Sequence, residues 1–444
     1  MRSDQVNILG AGLVGSLLAA LLARRGFEIK VFEKRHDPRK AKIAEGRSIN
    51  LALSDRGIKA LRMAGAYEPL LENLIPMKGR MMHDVACTQS FLPYGTSGQC
   101  IYSVSRSGLN RLLIDVAEGA GASFLFDHRC ESVDLKSMTA NFRINEQIRN
   151  ASSNVLIGAD GAFSALRNTF LQQDRFSFEQ HYIDYGYKEL SIQPEGNEFA
   201  LEPNYLHIWP RKKFMLIALP NPDRSFTCTL FLPFNGEISF SSLKNESQVR
   251  QFFEAQFPDA LGLIPDLMEQ FDANPTSSLV TIKSAPWVYH NCLLIGDAAH
   301  AIVPFYGQGM NAGFEDCQLF MEWGERMKFD WGKLLPYFSE NRKRDADAIA
   351  ELALKNFVEM RDKVADQRFL DIKKVEARLH ETYPDSWIPL YSMVTFSEMP
   401  YSEALYRGKI QEKIMNDLPD SFDPYTVDLK PIMERFNAAA RGAQ

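Results

Sequence analysis

Metal-ligand and disulfide patterns are missing from this chain. Its six cysteines (Cys87, Cys100, Cys130, Cys228, Cys292 and Cys317) form no CxxC pair and have no histidines interleaved among them. That excludes a structural zinc site and a thioredoxin-like redox motif. Thiols scattered through 444 residues point to a reducing compartment. Charge of one sign is also scarce: 50 basic against 56 acidic side chains leave a net charge of −6. A nucleic-acid or anionic-membrane surface is thereby excluded, because phosphate affinity needs clustered Lys and Arg. The local basic run Lys34, Arg35, His36, Arg39, Lys40 and Lys42 reads as a solvated loop. No run is long and apolar enough to span a bilayer, and no signal peptide is recognisable. The segment Leu13–Ala23 is interrupted by glycine and stops at Arg24-Arg25, so it reads as a buried helix. A soluble, cytoplasmic protein without a membrane anchor is expected. Internal repeats and low-complexity linkers are absent too.

What is present begins with a βαβ unit. Val6-Asn7-Ile8-Leu9 is a short apolar strand, Gly10–Gly15 a turn, Ser16–Arg25 a helix stopped by Gly26, and Ile29-Lys30-Val31-Phe32 a second strand ending at Glu33. The turn reads Gly10-Ala11-Gly12-Leu13-Val14-Gly15. Gly10 permits the bend, Gly12 lets the backbone approach a pyrophosphate, and Gly15 allows close helix–strand packing. Free N–H groups and the helix dipole favour the phosphates, and Glu33 is placed to accept hydrogen bonds from an adenosine ribose. Dinucleotide binding follows, although this motif alone does not separate NAD from FAD. Helices are expected over Ser54–Ala64 and Leu109–Ala120, and strands over Ser123–Phe126 and Val155–Ile157. Between about Tyr182 and Phe234 the period falls to two, with a hairpin whose arms are Phe214–Leu219 and Phe226–Phe231 around Pro220-Asn221-Pro222-Asp223. Cys292–Ile295 returns to a buried strand, a helix runs from about Gly309 to Glu325, and the chain from Trp331 onward is mostly helical. A length of 444 residues implies two or three domains.

Two later motifs narrow the cofactor. Gly158-Ala159-Asp160-Gly161 follows a strand and precedes Ser164 and Arg167 at a helix start. Leu294-Ile295-Gly296-Asp297-Ala298-Ala299-His300 is followed by Pro304 and by Gly307-Gln308-Gly309-Met310-Asn311. With the first motif, in this order, they resemble the flavin-dependent aromatic hydroxylases that carry a single dinucleotide fold. A helix N-terminus at Gly307–Asn311, aimed at the pyrimidine edge of a flavin, would stabilise negative charge on its reduced form. The resemblance implies an α/β fold: a Rossmann-like FAD-binding domain (residues 1–175 and 276–330) interrupted by an antiparallel β-sheet substrate domain (176–275). A mainly helical C-terminal region (331–444) caps the active site. The cofactor contacts it implies are Gly10, Gly12, Leu13, Gly15, Glu33, Lys34, Arg35, Arg47, Leu53, Arg106, Asp160, Gly296, Asp297, Gly307, Gly309, Met310 and Asn311.

Within that class, further runs resemble the kynurenine 3-monooxygenase family and cover nearly the whole chain. They include Gly46-Arg47-Ser48-Ile49-Asn50-Leu51, Lys78-Gly79-Arg80-Met81, Leu206-His207-Ile208-Trp209-Pro210, Asn356-Phe357-Val358-Glu359-Met360 and Tyr391-Ser392-Met393-Val394. This resemblance implies hydroxylation of L-kynurenine to 3-hydroxykynurenine by NADPH, O2 and tightly bound FAD through a flavin C4a-hydroperoxide. No side chain is expected to act as a catalytic acid or base. It also implies Arg80, Tyr94, Asn356 and Tyr391 around the amino-acid end of the substrate. Leu206, Met215, Ile217, Leu219, Phe231, Pro304, Phe305 and Met360 would line the ring end. Met215, Ile217 and Leu219 alternate, so they share one face of a strand. Tyr306, before Gly307, departs from the family pattern and has no assigned role. His83, His207 and His300 read as structural. Three other readings stay open at this point: hydroxylation of another aromatic acid, a flavin reductase or dehydrogenase without oxygen insertion, and a non-enzymatic flavin-binding module. A homodimer is also left open, and no metal site is expected.

Overall fold

The computed structural model of the protein describes residues 4–40, 50–95, 98–359 and 367–441. Strand Gln5–Leu9 turns through glycine into helix Leu13–Ala23, in which every residue from Gly15 to Ala23 is buried. Its Leu and Ala side chains let it lie close against the sheet beneath and the helices above. Strand Glu28–Phe32 returns parallel to the first, with Ile29 opposite Val6, and Val155–Gly158 pairs on the other side, with Val155 opposite Val6. The complete sheet runs Val288–Tyr289, Cys292–Leu294, Val155–Gly158, Gln5–Leu9, Glu28–Phe32, Ser123–Leu125. It is parallel except at its two-residue end strand. The carboxyl ends of its central strands lead into the Gly10, Gly158 and Gly296 turns, the usual ligand-binding edge of such a sheet. A small antiparallel sheet (Arg129–Asp134, Thr139–Ile144, Gln147–Ser152) packs on this unit, with Phe142 stacked on Phe32 at 4.2 Å.

The second large sheet has seven strands, ordered Ser277–Ala285, Ser177–Ile192, Phe226–Pro233, Met215–Pro220, Leu206–Pro210, Gly79–His83, Gln89–Pro93. The expected hairpin is present, with Met215 opposite Phe231 and Pro220 opposite Phe226. Strand Gly79–His83 was not anticipated. It runs parallel to Leu206–Pro210, with Arg80 opposite Leu206, so two strands from the early chain complete this sheet. One face buries Leu190, Trp209, Leu216, Leu230, Phe253 and Phe257 beneath helix Glu246–Gln256. The other face turns Met215 and Phe231 toward Phe305, Phe357, Met393 and Tyr401. The C-terminal helices include Trp331–Val358, Gln367–Thr382, Leu390–Thr395, Tyr401–Asn416 and Lys430–Arg441. Among the described residues no helix is long and apolar enough to cross a membrane, and no cluster of side chains could hold a metal.

A buried charge cluster joins these parts. Asp316, on helix Gly309–Arg326, accepts from Gly296 N at 3.0 Å and pairs with His300 Nε2 at 2.6 Å, while its other oxygen accepts from Arg342 Nε at 2.7 Å. Arg342 also pairs with Glu315 at 2.7 Å, and Glu315 pairs with Arg56. Arg56 donates to the Val394 carbonyl at 2.9 Å and to that of Met399. Burial would raise the pKa of Asp316, but His300 and Arg342 outweigh it and hold the carboxyl at about 2. The folded value lies below the ordinary value, so this stabilisation is complete above about pH 4 and is lost as pH falls through about 2. Asp316→Asn breaks the buried pair and leaves Arg342 with Glu315, which Arg56 shares, and Asp345 at 3.6 Å; urea titration at neutral pH is expected to show a loss of about 3 kcal/mol. The same variant should lose less stability than the parent between about pH 4 and pH 2.

Candidate active site

Two helix N-termini open on one cavity. Helix Leu13–Ala23 begins after Gly12 and helix Gly309–Arg326 after Gln308, and neither cap residue offers a side-chain bond to the first free N–H groups. Uncapped N–H groups at the positive end of a helix dipole favour an anionic or electron-rich ligand. Gly12 and Leu13 from the first helix, and Gly307, Gly309 and Met310 from the second, line a cavity of about 430 Å3, within the range of small-molecule sites.

The glycines divide the work. Gly10 has φ +98°, and a Cβ there would lie 2.6 Å from the Ala159 carbonyl oxygen, so it makes the turn. A Cβ at Gly15 would lie 2.0 Å from Gly10 O, so Gly15 closes the helix onto that turn. At Gly12 a Cβ would meet no protein atom within 4 Å. The space beside Gly12 is open, and Gly12 lines the cavity. Glu33 fastens the turn from behind: Oε2 accepts from Ala11 N at 2.8 Å, and Oε1 accepts from Arg35 Nε at 2.8 Å. Burial works to raise its pKa, but Arg35 and the Ala11 N–H prevail and hold it below the ordinary value. Arg35 is spent on this contact, and Lys34 is exposed.

Three charged groups frame the middle of the cavity. Arg106, at the start of helix Arg106–Gly119, and Asp297 both line it. Asp297 is exposed where it lines the cavity, yet loss of solvation raises its pKa although Arg106 opposes the effect. Asp160 stands just behind, where Oδ2 accepts from Ala165 N at 2.7 Å and Oδ1 has no partner among the described residues. Desolvation raises its pKa as well. Asn311 faces away: it accepts from Ser54 N at 3.0 Å and donates to Ala52 O and Gly307 O at 2.8 and 2.9 Å, pinning the Gly307 loop. Gly296 (φ +61°) gives its N–H to Asp316, and Leu53 is fully buried, so neither reaches the cavity.

At the far end the wall becomes aromatic and apolar. The guanidinium of Arg80 lies 5.2 Å from the Tyr94 ring centre and 4.7 Å from that of Tyr391. Tyr94 stacks on Tyr391 at 5.2 Å, and Tyr306 stacks on Tyr391 at 5.6 Å. Burial works against the charge of Arg80, but Tyr391, Tyr94 and Glu359 together hold its pKa above the ordinary value. The buried Tyr94 hydroxyl makes no hydrogen bond among the described residues. Leu206, Met215, Ile217, Leu219, Phe231, Pro304 and Phe305 complete the wall. Asn356 does not line it; its Nδ2 donates to Phe305 O at 2.7 Å and so steadies that wall from outside. Arg47 and Met360 lie outside the described residues. The sequence reading missed Tyr187, Thr229, Leu279 and Tyr306, which also line the cavity. Tyr187 could have been found from the period-two pattern of strand Ser177–Ile192, whose residue Lys188 turns to the opposite face.

A cradle for a pyrophosphate, a second helix N-terminus and an apolar pocket on one sheet edge define a flavin-binding oxygenase-type fold. The family model described as "FAD binding domain" matches residues 3–323. A solved structure of 2-methyl-3-hydroxypyridine-5-carboxylic acid oxygenase superposes with a TM-score of 0.68 at 17% identity, covering 82% of this chain and 94% of that one. P. aeruginosa PqsL in complex with 2-aminobenzoylacetate gives 0.65 at 19% identity, covering 81% of this chain and 97% of that one. These establish the fold. Kynurenine 3-monooxygenase of Cytophaga hutchinsonii is 48% identical over 420 residues, 94% of each chain. The enzyme of that name from Dictyostelium discoideum is 46% identical over 96% of each chain, and that from Sus scrofa is 43% identical over 94% of this chain and 89% of its own. The chain belongs to the kynurenine 3-monooxygenase family. Of the three glycines in the first turn only Gly12 would place a Cβ in open space, so Gly12→Val is expected to fold but to purify without flavin absorbance. A fully yellow Gly12→Val protein would refute the cradle.

Proposed function

We propose that the protein hydroxylates L-kynurenine to 3-hydroxykynurenine, using FAD, NADPH and O2. The observation that carries this reading is a single cavity joining the Gly12 cradle to the aromatic-walled Arg80. A cofactor and an amino-acid substrate would there share one enclosure. Gly12, Leu13, Arg106, Asp297, Gly307, Gly309 and Met310 would hold FAD, with Gly10, Gly15, Glu33, Asp160 and Gly296 shaping the turns behind them. FAD, once reduced by NADPH, supplies the oxygen-transfer chemistry. The protein's own part is to bind, orient and dry the substrate. Arg80 takes the carboxylate through charge-assisted hydrogen bonds, joined by the Tyr94 hydroxyl and by Tyr391. Met215, Ile217, Leu219, Phe231 and Phe305 then hold the aniline ring in a water-poor pocket. Residues 1–175 with 276–330 serve the cofactor, 176–275 the substrate, and 331–444 the closure of the site. All six thiols are free, in keeping with a reducing cytoplasm.

NADPH consumption by the purified protein is expected to rise on adding L-kynurenine, with a product heavier by one oxygen atom. Stimulated consumption that yields only peroxide would make kynurenine an effector and defeat the reading. Arg80→Ala removes the charge that would meet the carboxylate, a change expected to raise the KM for L-kynurenine by about 10- to 100-fold while FAD stays bound.

A further inference from the structure

On the side of the seven-stranded sheet away from the cavity lies a chain of buried hydrogen bonds that the proposed chemistry does not use. His83 Nδ1 is 2.8 Å from Asp259 Oδ2, and His83 Nε2 is 2.9 Å from His207 Nδ1. His207 Nε2 is in turn 2.8 Å from the Glu202 carbonyl oxygen. Both rings are buried, with Trp209 stacked on His83 at 4.1 Å. Counting protons from the two ends fixes the middle. A backbone carbonyl only accepts, so His207 donates from Nε2. His207 is desolvated, which lowers its pKa to about 4, so it carries no second proton and its Nδ1 accepts. His83 Nε2 is therefore a donor. Asp259 also takes the Trp209 indole N–H at 2.9 Å, the behaviour of a carboxylate, so it accepts from His83 Nδ1 as well.

We propose that His83 is a buried imidazolium, protonated on both nitrogens, and that it is a positioning residue for Arg80. The second half rests on the reading that Arg80 receives the substrate carboxylate. Arg80 and His83 share the strand Gly79–His83, which touches the rest of the sheet through three register pairs with Leu206–Ile208 and through the exposed edge strand Gln89–Pro93. The Asp259–His83–His207 chain ties the end of this strand to the helix Pro258–Leu261 on one side and to its neighbour strand on the other. The other charged groups near the ring are Arg211, whose Nη1 donates to His83 O at 2.9 Å, and Asp84, whose carbonyl accepts from Arg211 at 3.2 Å. Asp259 is the carboxylate in contact with the ring, so the imidazolium depends on it.

The charge state is tested by nitrogen NMR on the full FAD-loaded protein with 15N-labelled histidine. The pair is assigned by the coupling between His83 Nε2 and His207 Nδ1 across their hydrogen bond. The expected result is that both nitrogens of His83 carry protons while His207 carries one on Nε2 alone. An unprotonated nitrogen on His83, with the proton on Asp259 or lost, overturns the assignment. The positioning role is tested by Asp259→Asn in protein that retains FAD. The KM for L-kynurenine is expected to rise about tenfold while kcat changes by less than about twofold. Unchanged KM overturns the positioning role, as does a loss confined to kcat. The NMR result does not depend on which substrate the enzyme takes, so failure of the kynurenine reading is separable from failure of this one.

Discussion

Asp316 is the point at which three parts of the chain must agree. One carboxylate receives the N–H of the Gly296 turn, the ring of His300 and the guanidinium of Arg342. It thereby joins the end of a central strand, the helix whose N-terminus opens on the cavity, and the longest C-terminal helix. All three groups are buried, so each is tolerable only while the others hold their places. Arg56 and Glu315 extend the same arrangement to the carbonyls of Met393, Val394 and Met399, beside the segment that carries Tyr391. Tyr401 lies beneath both arginines, at 4.1 and 5.7 Å, and its hydroxyl donates to Gln308 at the start of the cavity helix.

That cluster lies behind the cavity wall, and the charged side chains that line the cavity are Arg80, Arg106 and Asp297. The charges of the Asp316 cluster are neutralised there, one layer back. What reaches the cavity is mostly backbone and hydrocarbon: the N–H groups at Gly12 and Gly309, and the side chains of Met215, Ile217, Leu219 and Phe231. A helix N-terminus stabilises negative charge through oriented N–H groups that need no counter-ion and no reorganisation when charge appears. Asn311 contributes to the same end without touching a ligand, because it holds the Gly307 carbonyl and the Ser54 N–H that fix where the helix begins.

Much of the fold was legible because it is written in local chemistry. The turns at Gly10 and Gly296 have φ values that glycine alone adopts readily, and each follows a short apolar strand and opens a helix. The hairpin from Met215 to Pro233 declares itself by alternation around a Pro-Asn-Pro-Asp turn. Strand Gly79–His83 was not legible. It is five residues long, it pairs with a strand more than a hundred residues away, and no turn signal links the two. Similar distances hid the partners of His83 and His207, while those of Asp316 lie within 26 residues of it but on three different elements. Each looks ordinary in sequence and acquires meaning from a side chain brought to it by the topology. Arg80 and Tyr391 were legible through resemblance, whereas their contact belongs to the fold.

That contact explains why an arginine suits this position. A guanidinium can lie over aromatic faces and keep its planar edge of donors available, which an ammonium cannot do. Tyr94 and Tyr391 lie near parallel, with an interplanar angle of 10°, and both rings carry the Arg80 cation within 5.2 Å. Tyr306 extends the stack and, with Glu359, adds to the field that keeps Arg80 charged. Among the described residues no carboxylate lies within ion-pair distance of Arg80. Aromatic faces offset part of its desolvation but give it no full counter-charge. A cation with no carboxylate at ion-pair distance among the described residues favours a ligand that brings one, while the hydrocarbon wall beyond favours a ring over a second charge. An aromatic amino acid meets both demands at once, and a simple phenol meets only the second.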